Sequence, residues 1–156
     1  MTEEVMDLMI KHGTYFVPTI SAGKWVADKA KIDGYYPPLV TPKALDIGPR
    51  IQATFGRAYK RGVKIAFGTD AGVFPHGLNG KEFGYMVEVG MPEMEALKTA
   101  TMNAATVLGM EDSIGSIKAG KYADIIAVDK NPLSDISAME KVSFVMKNGV
   151  VYSGSN

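Results

Sequence analysis

The residue of this sequence best placed for chemistry is Asp70, in the stretch Lys-Ile-Ala-Phe-Gly-Thr-Asp-Ala-Gly at positions 64–72. A short apolar run closed by Gly68 precedes it, and such a run predicts a strand that is buried on both faces, as in parallel sheets. Ligands of α/β folds bind at the carboxyl ends of these strands, so a carboxylate at that position is a candidate catalytic group. The alternative is a turn aspartate that hydrogen-bonds its own backbone. These residues alone favour neither interpretation.

The composition limits the classes of protein to which the chain can belong. Its 156 residues contain 17 acidic and 17 basic side chains, so no charge surplus indicates nucleic acid or an anionic membrane surface as a partner. There is no cysteine, which removes disulfides and thiolate metal sites and makes the cytosol the default compartment. No apolar run approaches the roughly 20 residues of a membrane span, and the acidic opening Thr-Glu-Glu is unlike a signal peptide. We therefore expect a cytoplasmic globular protein that binds neither nucleic acid nor membranes.

The residues before Asp70 predict helices and short strands in alternation. Helix signals run from Thr2 to Gly13, over positions 21–31 and from Thr41 to Gly62, and a β-rich run covers positions 15–20. The Gly-Pro pair at positions 48 and 49 interrupts the last helix. Because proline removes an interior helical hydrogen bond, we expect a kink or two separate helices there.

After Asp70 the pattern stays helical at first and changes to all-β from Glu111. A long loop over positions 73–81 contains His76, and helices follow over 82–89 and from Pro92, with a break near Asn103. Strands are then predicted over 123–128, 142–147 and 150–152, and Asn148-Gly149 predicts a two-residue hairpin turn. We predict two units, residues 1–110 with helices and parallel-type strands, and residues 111–156 with the short strands.

Two buried parallel strands do not make a complete sheet. Each has too few neighbours within this chain, so at least one edge of each is expected to be open to another partner. A closed (β/α)8 barrel takes about 250 residues, so the chain can hold only the last quarter of one.

Four motifs give the sequence a resemblance to the amidohydrolase superfamily. They are Phe-Val-Pro-Thr-Ile at 16–20, Phe-Gly-Thr-Asp-Ala-Gly at 67–72, Ala-Thr-Met-Asn-Ala-Ala at 100–105 and Gly-Ser-Ile-Lys-Ala-Gly-Lys-Tyr-Ala-Asp at 115–124. The chain most resembles the metal-dependent Xaa-Pro dipeptidase (prolidase-like) branch, near imidazolonepropionase and the arginine and lysine carboxypeptidases. The resemblance implies a C-terminal fragment: positions 15–20 are barrel strand seven, 65–68 are strand eight, and 115–152 belong to a small β-sandwich.

The resemblance also implies roles for individual residues. In such enzymes the aspartate after strand eight contacts a zinc ion, takes the proton of the metal-bound water and passes it to the leaving amine, and that position is Asp70. His76 resembles a loop position that hydrogen-bonds a substrate carboxylate or the scissile carbonyl oxygen. One or two zinc (Zn²⁺) ions and a small dipeptide, N-acyl or cyclic amide substrate are implied for the intact enzyme.

Most of the zinc ligands of the family have no counterpart here. The His-x-His after strand one, the metal-bridging carboxylated lysine after strand four and the histidines after strands five and six are missing, and the two histidines are His12 and His76. One aspartate cannot hold zinc, which takes about three protein ligands in catalytic sites. We therefore expect the isolated fragment to bind no zinc and to be inactive. Its expected partner is the upstream barrel segment or another copy of the chain, as in a homo-oligomer. The alternative is a non-catalytic half-barrel that serves as an interaction or assembly module.

Three further observations concern side chains away from Asp70. Trp25, Tyr35 and Tyr36 either line a pocket over the barrel mouth or pack against their own helix. His12, near a predicted helix end, is expected to be a surface or capping residue rather than a ligand. Asp124 is expected to have a structural role before the first strand of the β tail.

Overall fold

In the structure, a computed structural model that describes residues 1–154, helices and short strands alternate as far as Val107 and an antiparallel sheet follows. The fold is therefore α/β, as predicted. None of the helices in this described range is long and apolar enough to cross a membrane. The elements are α1 Glu3–His12, β1 Tyr15–Phe16, α2 Ile20–Lys29, α3 Thr41–Arg61, β2 Lys64–Ile65, α4 Lys81–Val87, α5 Glu93–Lys98, a π-helical turn Thr99–Asn103, α6 Ala104–Val107, β3 Ile125–Val128, a 3-10 helix Ile136–Glu140, β4 Val142–Lys147 and β5 Val150–Ser153.

The strands β1 and β2 form a parallel pair that brings the two expected strand ends side by side. Tyr15 lies opposite Lys64, and Phe16 lies opposite Ile65. Both strands are shorter than the sequence predicted. For β1 the reason is local, because Pro18 has no N–H to donate and Thr19 leaves the extended conformation, with φ 48°. The chain beyond β1 leads to Thr19, and the chain beyond β2 leads to Asp70.

The second edge of β2 is covered by the segment that follows α5. The side-chain amide of Asn103 donates to the Ile65 oxygen at 2.8 Å, and the Phe67 N–H donates to the Thr99 oxygen at 3.1 Å. On the other side, the Ala66 N–H donates to the Phe16 oxygen in β1 at 3.1 Å. Among the described residues no third strand joins β1 and β2, so the pair lacks strand neighbours as predicted, although these two bonds already occupy the Ile65 oxygen and the Phe67 N–H.

Helices α2 and α3 pack closely through small residues. A Cβ atom added to Gly48 would lie 2.9 Å from the Ala27 Cβ and 2.9 Å from the Gly23 oxygen, so only glycine fits there. Pro49 lies inside α3, yet the helix runs without interruption from Thr41 to Arg61. The alternative of two separate helices is wrong, because the packing on α2 stabilises the helical backbone on both sides of the proline.

The main core lies between the parallel strands and the helices α2 to α5. Phe67, just beyond β2, packs on Phe83 of α4 with 4.4 Å between the ring centroids. The side chains at the centre of this core are Ile20, Phe55, Ile65, Phe83, Met86, Met91 and Ala96.

The C-terminal strands form one antiparallel sheet in the order β3-β4-β5. The predicted turn between β4 and β5 is confirmed: Asn148 and Gly149 have φ of 49° and 78°, as a two-residue hairpin turn requires. Asp124 accepts hydrogen bonds from the Lys147 ammonium at 2.7 Å and the Asn148 N–H at 2.8 Å, and thereby holds this turn beside β3. This is a structural role, as predicted. The division of the chain at residue 110 stays a prediction.

Candidate functional site

Asp70 lies in the loop that begins at the carboxyl end of β2. Its backbone is left-handed, with φ 55°, a conformation that aspartate tolerates better than most residues. The Asp70 carbonyl oxygen accepts a hydrogen bond from the Val73 N–H at 3.2 Å, so the chain turns through main-chain contacts. Within residues 1–154 the exposed carboxylate makes no hydrogen bond or ion pair, unlike a turn aspartate bonded to its own backbone.

A glycine brings the two strand ends into close contact. A Cβ atom added to Gly68 would lie 2.4 Å from Cγ1 of Val17, so no side chain fits between the residue that follows β1 and the segment that leads to Asp70. Gly72, on the other side of Asp70, has φ 122° and turns the chain into the following loop. The glycines of the motif therefore have steric and conformational functions.

Asn79 connects the far end of the loop to Thr69, in the segment that follows β2. Its side-chain amide donates to the Thr69 hydroxyl at 2.9 Å, and its side-chain oxygen accepts from the Gly77 N–H at 3.3 Å. His76 lies exposed between these contacts. The structure thus places Asp70 and His76 on one loop that is closed at both ends, although no hydrogen bond among the described residues joins their side chains.

A cavity of about 270 Å³ lies between α2 and this loop. Trp25 and Tyr85 line it from the helices, and Phe74 and Leu78 line it from the loop. Trp25 therefore borders a pocket, but Asp70 and His76 do not line it, and a location over the barrel mouth stays a prediction.

The two tyrosines that were grouped with Trp25 are placed elsewhere. Tyr35 and Tyr36 border a separate cleft in the loop before α3. The Lys29 ammonium lies 4.6 Å from the Trp25 ring centroid and 5.6 Å from that of Tyr35. Trp25 and Tyr35 therefore gather around a lysine of α2, which agrees with the alternative of aromatic side chains packed against their own helix.

The residues that the structure describes do not fit a zinc ion by themselves. Among residues 1–154, no three His, Asp or Glu side chains lie close enough together to hold a metal ion. Zinc in catalytic sites takes about three protein ligands. Asp70 alone therefore does not form a zinc site.

Sequence analysis missed one residue that is tied to the turn after β1. Glu82 has no exposed surface, and its carboxylate accepts hydrogen bonds from the Ile20 N–H at 2.8 Å and the Ser21 N–H at 2.7 Å. Burial raises the pKa of Glu82 above its ordinary value, and the hydrogen bonds from Ser21 and Ile20 lower the pKa in part. The sequence shows only a glutamate near a helix start, because the partners lie more than 60 residues away.

Comparison with known proteins identifies the family. The model of the amidohydrolase family matches residues 2–152. The crystal structure of a Xaa-Pro dipeptidase with methionine bound in its active site superposes with a TM-score of 0.95 at 59% identity, covering 99% of this chain and 38% of that chain. The structure of the ochratoxinase from A. niger superposes with a TM-score of 0.80 at 32% identity, covering 99% of this chain and 36% of that one.

The sequence relatives are also longer than this chain. Ochratoxinase of Aspergillus niger is 39% identical over 102 residues, which is 62% of this chain and 21% of ochratoxinase. A 5-methylthioadenosine/S-adenosylhomocysteine deaminase of Thermoanaerobacter pseudethanolicus is 31% identical over 144 residues, which is 77% of this chain and 32% of the deaminase. The described fold corresponds to the C-terminal part of the barrel proteins that it matches. These findings confirm the resemblance indicated by the sequence motifs: the chain belongs to the amidohydrolase family.

Proposed function

We propose that these residues form the C-terminal part of a metal-dependent hydrolase that cleaves an amide or peptide C–N bond. The observation that carries the proposal is the position of Asp70, an exposed carboxylate at the carboxyl end of β2 in a chain of the amidohydrolase family. The substrate class is a small dipeptide or an N-acyl or cyclic amide. The 59% identity to a Xaa-Pro dipeptidase supports a dipeptide first.

In this proposal Asp70 transfers the proton. Its carboxylate accepts a proton from the attacking water as the water oxygen bonds to the carbonyl carbon. The same proton then passes to the leaving nitrogen as the C–N bond breaks, so the carboxylate is regenerated. In the complete enzyme a metal ion, held by further ligands in addition to Asp70, would lower the pKa of the attacking water.

His76 has the proposed role of a substrate ligand. It is exposed on the same loop as Asp70, and a ring N–H can donate a hydrogen bond to a substrate carboxylate or to the scissile carbonyl oxygen. The hydrogen bond from Asn79 to Thr69 joins the two ends of the loop segment that carries both residues.

An apolar groove supports the proposal of an association partner. It lies between the segment 94–108 and β3, and exposed Met102, Leu108, Ile117 and Ile126 are among the side chains that line it. Contiguous apolar surface of this kind marks interaction sites. The proposed partner is the upstream barrel segment or a second copy of the chain, and light scattering on the isolated chain distinguishes a monomer from a homo-oligomer.

The test uses the complete enzyme, meaning these residues joined to those that precede them in a longer reading frame. We expect zinc-dependent dipeptide hydrolysis that a chelator abolishes. The Asp70→Asn variant should lose about 10²- to 10⁴-fold in kcat, because asparagine cannot accept the proton. His76→Ala should mainly raise KM, whereas His76→Gln, which keeps an N–H donor, should raise it less. Full activity of Asp70→Asn would rule out its role in proton transfer, and turnover by the 156-residue chain alone would refute the need for further ligands.

A further inference from the structure

Glu82 is a completely buried carboxylate whose hydrogen bonds all go to the turn after β1. One oxygen accepts the Ile20 N–H at 2.8 Å, and the other accepts the Ser21 N–H at 2.7 Å and the Ser21 hydroxyl at 2.5 Å. A buried carboxylate is unfavourable unless such partners satisfy it. The buried Glu82 carboxylate therefore needs these three donors to satisfy its charge.

These donors belong to the start of α2, where the first N–H groups have no partner within the helix. A capping side chain normally accepts from them, but Thr19 at the cap position makes no such bond. Thr19 has φ 48° and ψ 49°, a left-handed conformation that is strained for a β-branched residue. The Glu82 carboxylate thus replaces the local cap and holds a turn that the local sequence does not favour.

The same bonds connect the two segments that border the proposed active site. Thr19 lies where the chain leaves β1, and Glu82 follows the loop that carries Asp70. The neighbour of Glu82 in α4, Phe83, packs on Phe67 at the end of β2, with 4.4 Å between the ring centroids. The helix α4 is therefore packed on the segment that follows β2 through Phe83, while the Glu82 carboxylate bonds the residues that directly follow Thr19.

We propose that Glu82 is a positioning residue that fixes the Thr19 turn relative to the loop carrying Asp70. This inference rests on the function proposed above. Glutamine in its place offers one acceptor oxygen and turns an NH₂ donor toward the Ser21 N–H or the Ile20 N–H. Aspartate is one methylene shorter and does not reach both N–H groups from the same backbone position.

The kinetic test compares Glu82→Gln with two controls in the complete enzyme. Glu82→Gln should lower kcat by about 10- to 100-fold with KM changed less than about threefold, because small displacements of reacting groups have effects of this size. Ser21→Ala removes one of the three donors but keeps both backbone N–H donors, so it should lower kcat by less than Glu82→Gln does. Gly48→Ala controls for lost stability, because its added methyl clashes with Ala27 and not with Ile20 or Ser21. This variant should keep the kcat of wild type at temperatures where it is folded.

A second measurement does not depend on activity or on the folding of the variant. Hydrogen exchange of the Ile20 and Ser21 amides in the wild-type chain should be as slow as in the interior of α2, although first-turn amides ordinarily exchange fast. In Glu82→Gln, if it folds, exchange at Ser21 should rise at least tenfold above wild type.

Fast exchange of both amides in the wild type, or a folded Glu82→Gln with kcat within about threefold of wild type, would overturn the inference. A wild-type enzyme without hydrolytic activity would instead overturn the proposed function, and the exchange data would still decide whether Glu82 holds the turn.

Discussion

The hydrogen bond from Asn103 to β2 gives a quantitative test of how the strand before Asp70 is held. The Asn103 amide donates to the Ile65 oxygen at 2.8 Å, and Ile65 is only 4% exposed. Asn103→Ala removes this donor and leaves a buried carbonyl without a partner, a change that costs about 1–3 kcal/mol. We expect a loss of about 2 kcal/mol in the free energy of unfolding, which lowers Tm by about 4–8 °C for a domain of this size.

Urea denaturation followed by circular dichroism measures the change, with the m value expected to stay constant. Asn103→Asp keeps the size of the side chain but cannot donate a hydrogen bond, so it should be at least as destabilised as Asn103→Ala. Thr101→Ala removes an exposed hydroxyl that donates to Leu97 within the same helical segment, and it should stay within about 0.5 kcal/mol of wild type. An Asn103→Asp variant as stable as wild type would refute the assignment of this energy to the hydrogen bond.

Two further predictions concern stability away from the site. Gly48→Ala should be destabilised by about 1–3 kcal/mol, because the new methyl would lie 2.9 Å from the Ala27 Cβ. Gly84→Ala, at a position in α4 with open space around it, should instead be stabilised by about 0.5–1 kcal/mol. Equal urea midpoints for the two variants would contradict this difference. Asp7 accepts two hydrogen bonds from Arg61, at 2.7 and 2.8 Å, and they hold the pKa of Asp7 below its ordinary value of 3.8. Because the pKa of Asp7 is lowered on folding, its contribution to stability is present above pH 3.8 and is lost as the pH falls through the folded-state pKa. The difference in Tm between wild type and Asp7→Asn should therefore disappear between about pH 5 and pH 1. A Tm difference that stays constant over this range would contradict the prediction.

The sequence predicted the features that depend on a few neighbouring residues. The Thr2 cap of α1, its left-handed Gly13 end and the Asn148-Gly149 turn all appear in the structure, because each follows from local backbone preferences. The motif around Asp70 also predicted a strand end correctly. The strand lengths were overestimated, and β1 ends early because Pro18 cannot donate a hydrogen bond and Thr19 has a left-handed backbone.

For the site, the sequence determined which residue types are present, namely Asp70 and His76. Tertiary structure decided how they are held: Asn103 on the edge of β2, Asn79 on Thr69 and Glu82 on the turn after β1. These partners lie between 10 and 62 residues apart along the chain, so no local pattern identifies them. Packing alone brings their donors and acceptors within hydrogen-bond distance, since each bond forms only when separate helices and strands are already adjacent.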